Sequence, residues 1–343
     1  MPKMIVSQIC RNYKFSSDIF GDSIIMFQQR YAMLTVDTEA LPKRAEADHV
    51  RRLIWGSHAS GEAGIRQLSD LGNEFGVKHV FFVDLCGAYG RMEEMREVVR
   101  WLNHDASQDV QLHAHPEVLP QSFWKEHGLD SRPSLMNEYS NVERAEFVLR
   151  HFGGIISEVT GEPVRAFRAG SFRWNSTLIQ AMRRAGFELS CNNSMRAFSA
   201  GRCTYGEPTS YPFMWSNGVI EIPITESNAH SQSLGGAHWA SLTFPESPYF
   251  GAASARPSWF ARLRSRKPSF SVFLLHSWSL LQWDEAGYAT YRNDQRLEAY
   301  RKLLGSLSKD YDVITTRDFL DLRARGKIPI DHEVDIDKAV IRK

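Results

Sequence analysis

The stretch Tyr31–Ala40, YAMLTVDTEA, decides how the chain is read. Met33, Leu34 and Val36 mark a buried strand, and Asp37 and Glu39 stand at its end. Side chains on a strand alternate faces, so residues two apart share one. Two carboxylates side by side repel each other and cost stability unless something uses them. A pair of acids at the tip of a buried strand is therefore a candidate site before anything else is known.

Outward from it, apolar runs alternate with amphipathic segments. Strands are expected at 31–37, 78–84, 109–115, 164–169, 187–191, 219–225, 270–277 and 311–315. Helices are expected at 61–76, 91–104, 141–160, 175–186, 291–308 and 315–325. Asn141, Asn175 and Thr315 or Thr316 are candidate N-caps, with Gly153–Gly154, Gly186 and Gly326 as candidate stops. Strand–helix alternation implies parallel strands joined by crossover helices. About seven such strands suit a closed or nearly closed α/β barrel, with a doubly wound open sheet as the rival. The segment GAYGR at 87–91 lacks the glycine spacing of a dinucleotide-binding turn. Residues 116–140, 192–218 and 226–268 break the rhythm and read as long loops, which in compact domains are usually functional or disordered.

A chain of 343 residues can bury a large core as a single barrel domain. Hydrophobic residues at 43% and charged residues at 24% give the balance of a soluble globular protein. A net charge of +1 excludes a global field that favours nucleic acid or an anionic membrane. The basic run RLRSRK at 262–267 reads as a solvated face or loop. Cys10, Cys86, Cys191 and Cys203 form no CxxC pair and read as reduced thiols. No stretch approaches the ~20 apolar residues of a membrane span, and the N-terminus lacks a signal-peptide run. The expectation is a cytoplasmic protein with no evident obligate protein partner.

In α/β barrels reactive side chains collect at the carboxyl ends of strands. Those positions carry Asp37 and Glu39, Asp84, His113 and His115, Arg168, and His276. An acid with two histidines is a standard ligand set for a divalent metal. Glu117 reads as a further ligand or as a solvated loop residue. His276 reads as a hydrogen-bonded core residue or as a proton donor. A buried Arg168 demands a carboxylate, which Asp37 would supply, either as a structural ion pair or to hold Asp37 ionised as a base. Asp84 reads as a turn or cap residue. His230 and His238 fall in a long loop. Trp174, Trp215, Trp239 and Trp278 lie near these segments, and an aromatic face packs well against a sugar ring. No G-x-S-x-G elbow is present.

The order of these motifs resembles the polysaccharide deacetylases, carbohydrate esterase family four. TVDTE at 35–39 is similar to that family's T/S-F-D-x-D/E motif. HAHPE at 113–117 stands in the place of its H-S/T-x-x-H motif, FRAGSF at 167–172 in that of R-x-P-Y, and LLHS at 274–277 in that of Leu-x-His. The departures are Asp-Thr-Glu for adjacent aspartates, Glu117 where a second histidine is usual with His115 as an extra one, and Gly170–Ser171 in place of Pro-Tyr.

The resemblance implies a distorted (β/α)7 barrel of a divergent branch, with long inserted loops. It would comprise an N-terminal extension at 1–30, a catalytic barrel at 31–325 and a tail at 326–343. It implies hydrolysis of an N-acetyl group from an amino sugar, with zinc or another divalent ion. Asp37 would be the general base and His276 the general acid, with Arg168 orienting Asp37. Glu39 and His113, with His115 or Glu117, would hold the metal. A backbone N–H near Ser171–Phe172 would help hold the oxyanion, and Trp174 and Trp278 would face the sugar. The substrate would be an N-acetylated glycan, an intracellular surface-polysaccharide precursor or a nucleotide sugar. Hydrolysis of a small non-sugar amide, or glycan binding without turnover, are the alternatives.

Overall fold

Strand β1, Arg30–Thr38, is hydrogen-bonded along both edges and almost wholly buried. The computed structural model describes residues 28–40, 48–129, 139–228, 239–245, 267–292 and 294–340. Within them, β1 is joined by β2 (Val80–Asp84), β3 (Asp109–Ala114), β4 (Ala166–Ala169), β5 (Leu189–Ser190), β6 (Ile220–Glu221) and β7 (Ser269–His276). The order is β7-β1-β2-β3-β4-β5-β6, and every neighbouring pair in that run is parallel. Past β6, Phe213–Trp215 adds an antiparallel strand and Glu333–Val334 pairs with it as an edge.

The sheet curls back on itself. Beyond β6, Thr225 N donates to Val272 O at 3.3 Å, and its hydroxyl accepts from Val272 N at 2.9 Å. Leu242 O accepts from Leu274 N at 2.7 Å. These bonds tie the far end of the sheet to β7 and bring all the strand carboxyl ends round one opening.

Helices α1 (Ile65–Glu74), α2 (Met92–Arg100), α3 (Gln121–Glu126), α4 (Val142–Thr160) and α5 (Ser176–Ala185) lie in the first four crossovers. The strict alternation then lapses. Between β5 and β6 stand only the five-residue α6 (Met195–Ser199) and the strand Phe213–Trp215. α7 (Asp294–Asp310) and α8 (Thr316–Ala324) follow β7. The strand expected at 311–315 shrinks to Asp312–Val313, which pairs with the start of β1.

Period-two alternation on the strands builds two cores. Ala32, Leu34 and Val36 face outward with Phe81, Val83 and Leu112 and meet Leu68, Val98 and Val148 of the helices. Tyr31 and Met33 face inward with Phe82, Leu189, Ile220 and Val272. Each such buried side chain contributes about 1.5–3 kcal/mol.

Helix starts follow the expected caps. Asn141 accepts from Arg144 N at 2.8 Å, Asn175 from Leu178 N at 3.1 Å, and Thr315 from Asp318 N at 3.2 Å. One stop is corrected. α4 runs through Gly153–Gly154 and ends at Gly161, whose φ of 75° is the left-handed cap that glycine adopts without strain. Residues 116–140 are also not all loop, since α3 occupies part of them.

Cys86, Cys191 and Cys203 are buried and unpaired. Lys267 of the basic run pairs with Asp331 at 2.8 Å. Residues 1–27, Cys10, His230, His238 and 262–266 lie outside the described residues. No helix among the described residues is long and apolar enough to cross a membrane.

Candidate active site

The inner face of β1 grades from apolar to charged. Tyr31 and Met33 lie in the inner core, Thr35 and Asp37 come next, and Glu39 follows at the rim. Asp37 sits opposite His276 in the β1–β7 register, and His113 lies between Asp84 and Arg168 in register with both. Parallel pairing thus delivers these groups from five strands to the carboxyl end of the sheet.

Arg168 is fully buried inside the curl. Its Nη1 donates to Asp37 Oδ1 at 2.6 Å, Nη2 to Thr35 Oγ1 at 3.0 Å and Nε to Cys191 O at 3.3 Å. Its guanidinium lies 4.3 Å from the centroid of the Phe82 ring. One Asp37 oxygen is therefore committed to Arg168, while the side chain still lines the cavity described below.

Glu39, His113 and His115 converge. Glu39 Oε1 lies 3.0 Å from His113 Nε2 and 3.5 Å from His115 Nε2. Each imidazole is held from behind. His113 Nδ1 lies 2.8 Å from the Arg168 carbonyl oxygen, and His115 Nδ1 lies 2.7 Å from Glu117 Oε1. Those acceptors assign the proton of each ring to Nδ1 and leave both Nε2 atoms facing Glu39. Three electron-rich atoms that converge in a buried site need a proton or a metal cation among them. Burial alone would push the Glu39 carboxyl up, but the imidazoles of His113 and His115 beside it hold it well below the usual carboxylate range. Burial would likewise lower both imidazoles. The Asp37 and Glu39 carboxylates outweigh it at His113, and Glu117 and Glu39 raise His115 well above its ordinary value. The field of the site therefore favours positive charge at its centre.

The donor set fits a divalent metal. His115 Nε2 is buried with no hydrogen-bond partner among the described residues. Glu39, His113 and His115 each offer one ligand atom within 4.8 Å of the others, and Asp37, Glu39 and His276 form a second such group. One carboxylate and two neutral imidazoles with an open side suit a zinc-type centre. Glu117 is in neither group, because its carboxylate is turned to the back of His115.

Asp84 is buried and accepts from Cys86 N, Gly87 N and His115 N at 3.0, 3.0 and 3.2 Å. It closes the turn after β2 and pins the backbone of His115. Gly170 is required where the resemblance has proline, since a Cβ there would overlap the His115 ring.

A cavity of about 430 Å³ opens above this cluster. Asp37, Glu39 and His115 line it, with Ser171, Phe172, His276 and Trp278 among its walls. His276 stacks on Trp278 with centroids 4.9 Å apart and planes 20° from parallel. Ser171 and Phe172 both hold positive φ, 53° and 54°, a conformation that non-glycine residues adopt at a cost. Trp174 is corrected: it is fully buried against Trp215, 5.6 Å between ring centroids, and does not line the cavity.

Sequence reasoning passed over Ser194, Arg196, Arg202, Ser241 and Thr243, which also line it. It also passed over Glu221, a buried carboxylate that accepts from the Ser190 hydroxyl, Asn192 N, Asn193 N and Trp215 Nε1. The Asn192 side chain in turn accepts from Ala169 N at 2.6 Å, so Glu221 braces the loop beside Gly170. The only sequence signal for it was an acid inside an apolar run, VIEIPIT.

At the opposite end of the sheet a polar groove of about 480 Å³ contains Asp109, Gln111 and Thr316. Asp109 is occupied there, accepting from Thr316 N and its hydroxyl at 2.7 Å each.

No protein-family model and no curated protein sequence matches the chain. Solved structures do. A protein from Mycobacterium smegmatis assigned as a polysaccharide deacetylase aligns over 90% of this chain and 94% of its own, at a TM-score of 0.54 and 14% identity. The 4-alpha-glucanotransferase of Thermococcus litoralis aligns over 90% of this chain but only 42% of its own, at a TM-score of 0.56 and 13% identity. At such identities the likeness is one of backbone architecture, which proteins with different reactions share. The chain has the curled parallel-sheet fold of the polysaccharide deacetylases.

Proposed function

We propose that the protein is a metal-dependent carbohydrate N-deacetylase that hydrolyses the N-acetyl group of an amino sugar on a distorted (β/α)7 barrel. The observation that carries this reading is the convergence at the carboxyl end of the sheet. There Glu39, His113 and His115 converge, Asp37 stands beside them on Arg168, and His276 faces Asp37 across the register.

A divalent cation, zinc by the donor set, would polarise the amide carbonyl and lower the pKa of water towards about 7. Glu39 and the Nε2 atoms of His113 and His115 would hold it. Asp37, kept in place through Oδ1 by Arg168, takes the proton of the attacking water on its other oxygen. His276, on the Trp278 face and close to both acids, gives a proton to the departing amine. Backbone N–H groups at Ser171–Phe172, in a turn of positive φ, would face the oxygen that gains charge. Trp278 offers a flat wall for the sugar ring. The N-acetylated substrate is a glycan, a surface-polysaccharide precursor or a nucleotide sugar. Buried unpaired cysteines fit a reducing compartment such as the cytoplasm.

The test is acetate release from N-acetylated oligosaccharides and nucleotide sugars. Release is expected to match the free amine formed, stop with a chelator and return with the metal. Metal-loaded protein that frees no acetate from any N-acetylated sugar would overturn the reading.

A further inference from the structure

One wall of the cavity is the turn that follows β5. It brings two arginines, Arg196 and Arg202, into the lining. The turn is fixed. Arg202 N donates to Ala197 O at 2.9 Å, Ala200 N to Arg196 O at 3.1 Å, and Ser194 caps the segment through Ala197 N at 3.1 Å. The nearby Glu226 carboxylate is engaged by the Ser194 hydroxyl at 2.7 Å, the Ser241 hydroxyl at 2.8 Å and Arg196 N at 3.1 Å. Both arginines are exposed, and neither guanidinium makes a hydrogen bond or ion pair with a described residue.

The charge balance of the cavity then has a sign. Asp37 is paired with Arg168, and Glu39 is turned to His113 and His115. Among the described lining residues, Arg196 and Arg202 are the arginines with no carboxylate partner. Two like charges held on one short turn repel each other, and an oxyanion between them relieves that repulsion. The planar guanidinium fork matches carboxylate and phosphate oxygens with paired hydrogen bonds.

We propose that Arg196 and Arg202 form an oxyanion subsite that reads a phosphate or carboxylate carried by the substrate, next to the sugar whose acyl group is removed. The subsite rests on the deacetylase reading only for what the anion is attached to. The function above therefore narrows from N-acetylated sugars in general to those with an anionic neighbour.

Three probes share the acetamido group and differ in the neighbour: chitotriose is neutral, an N-acetylglucosamine–glucuronate oligosaccharide carries a carboxylate, and UDP-N-acetylglucosamine a diphosphate. The metal-loaded wild type is expected to show a lower KM for one anionic probe than for chitotriose, and the favoured probe names the source of the anion. That advantage should shrink as salt rises. In R196Q/R202Q, KM for that probe should rise at least about tenfold, as expected for lost charge-assisted hydrogen bonds, with kcat, metal content and KM for chitotriose unchanged. Equal KM values for all three probes in the wild type, or an equal loss on all three in the variant, would overturn the subsite. Calorimetric titration of UDP-N-acetylglucosamine and the glucuronate probe into metal-loaded Asp37→Asn protein separates the two ideas. Binding that needs Arg196 and Arg202, from a protein whose wild type frees no acetate, keeps the subsite and removes the deacetylase. No binding of either anionic probe removes the subsite whatever the turnover.

Discussion

Glu117 accepts from Nδ1 of His115 at 2.7 Å, and that bond determines which end of the imidazole faces Glu39. On the proposed reading, the residue that stands where the resemblance puts a second metal-binding histidine would act behind a ligand rather than as one. Carboxylate–histidine pairs of this kind fix the tautomer and raise the basicity of the ligating nitrogen. Glu117→Ala should weaken metal binding by about 10–100-fold with the fold intact, measured by competition with a chromophoric chelator. Unchanged affinity would return Glu117 to the status of a solvated loop residue.

Gly170 bears on the same ring from the other side. Gly170→Ala places a methyl group into His115. We expect a stability loss of about 1–3 kcal/mol from overpacking, accompanied by weaker metal binding. Ser171→Ala next to it should leave metal affinity unchanged, which separates displacement of His115 from general disturbance of the loop.

Asp37 and Glu39 should part company under neutralisation. Asp37→Asn keeps an acceptor for Arg168 and leaves the converging ligands in place. Metal content should hold, while turnover falls by about 10²–10⁴, the range of a lost general base. Arg168→Met should instead cost about 3–5 kcal/mol, because it leaves Asp37 as an uncompensated buried charge. Chemical denaturation reads the second effect and acetate release the first.

His79 supplies a pH dependence remote from the site. It is fully buried with its Nε2 2.7 Å from the Tyr300 hydroxyl, and burial pushes its pKa down to about 3 from an ordinary 6.5. The unfolded chain therefore takes up this proton first. The stability contributed is complete above about pH 6.5 and is lost as pH falls towards 3, by up to about 1.4 kcal/mol per pH unit. Denaturation of wild type and His79→Phe between pH 7 and 4 should show a shallower slope in the variant. Parallel slopes would contradict the assignment.

Much of the site was legible because continuous apolar runs announce buried strands and the first polar residue after each run marks its end. Asp37, His113, Arg168 and His276 follow directly from that rule. The choice between His115 and Glu117 does not. β3 ends at Ala114, and His115 has already turned, with φ −112° and ψ 68°, so strand alternation no longer says where its ring points. Trp174 was misread because its place is set by Trp215 from a distant loop. Arg196 and Arg202 went unseen for a related reason. Their turn has no periodicity and is ordered by Glu226 and Ser241, contacts that only the folded chain brings together. The lapse of the strand–helix alternation between β5 and β6 hides in the same segment.

The central claim is that Glu39, His113 and His115 hold one divalent metal while Asp37 works beside it. An anomalous-scattering map of crystals grown with zinc tests it most directly. The account predicts a single strong peak within coordination distance of Glu39 and the Nε2 atoms of His113 and His115, retained in Asp37→Asn and absent in Glu39→Gln. A peak bound by Glu117 instead, a peak that survives in Glu39→Gln, or no peak in the wild type would contradict it.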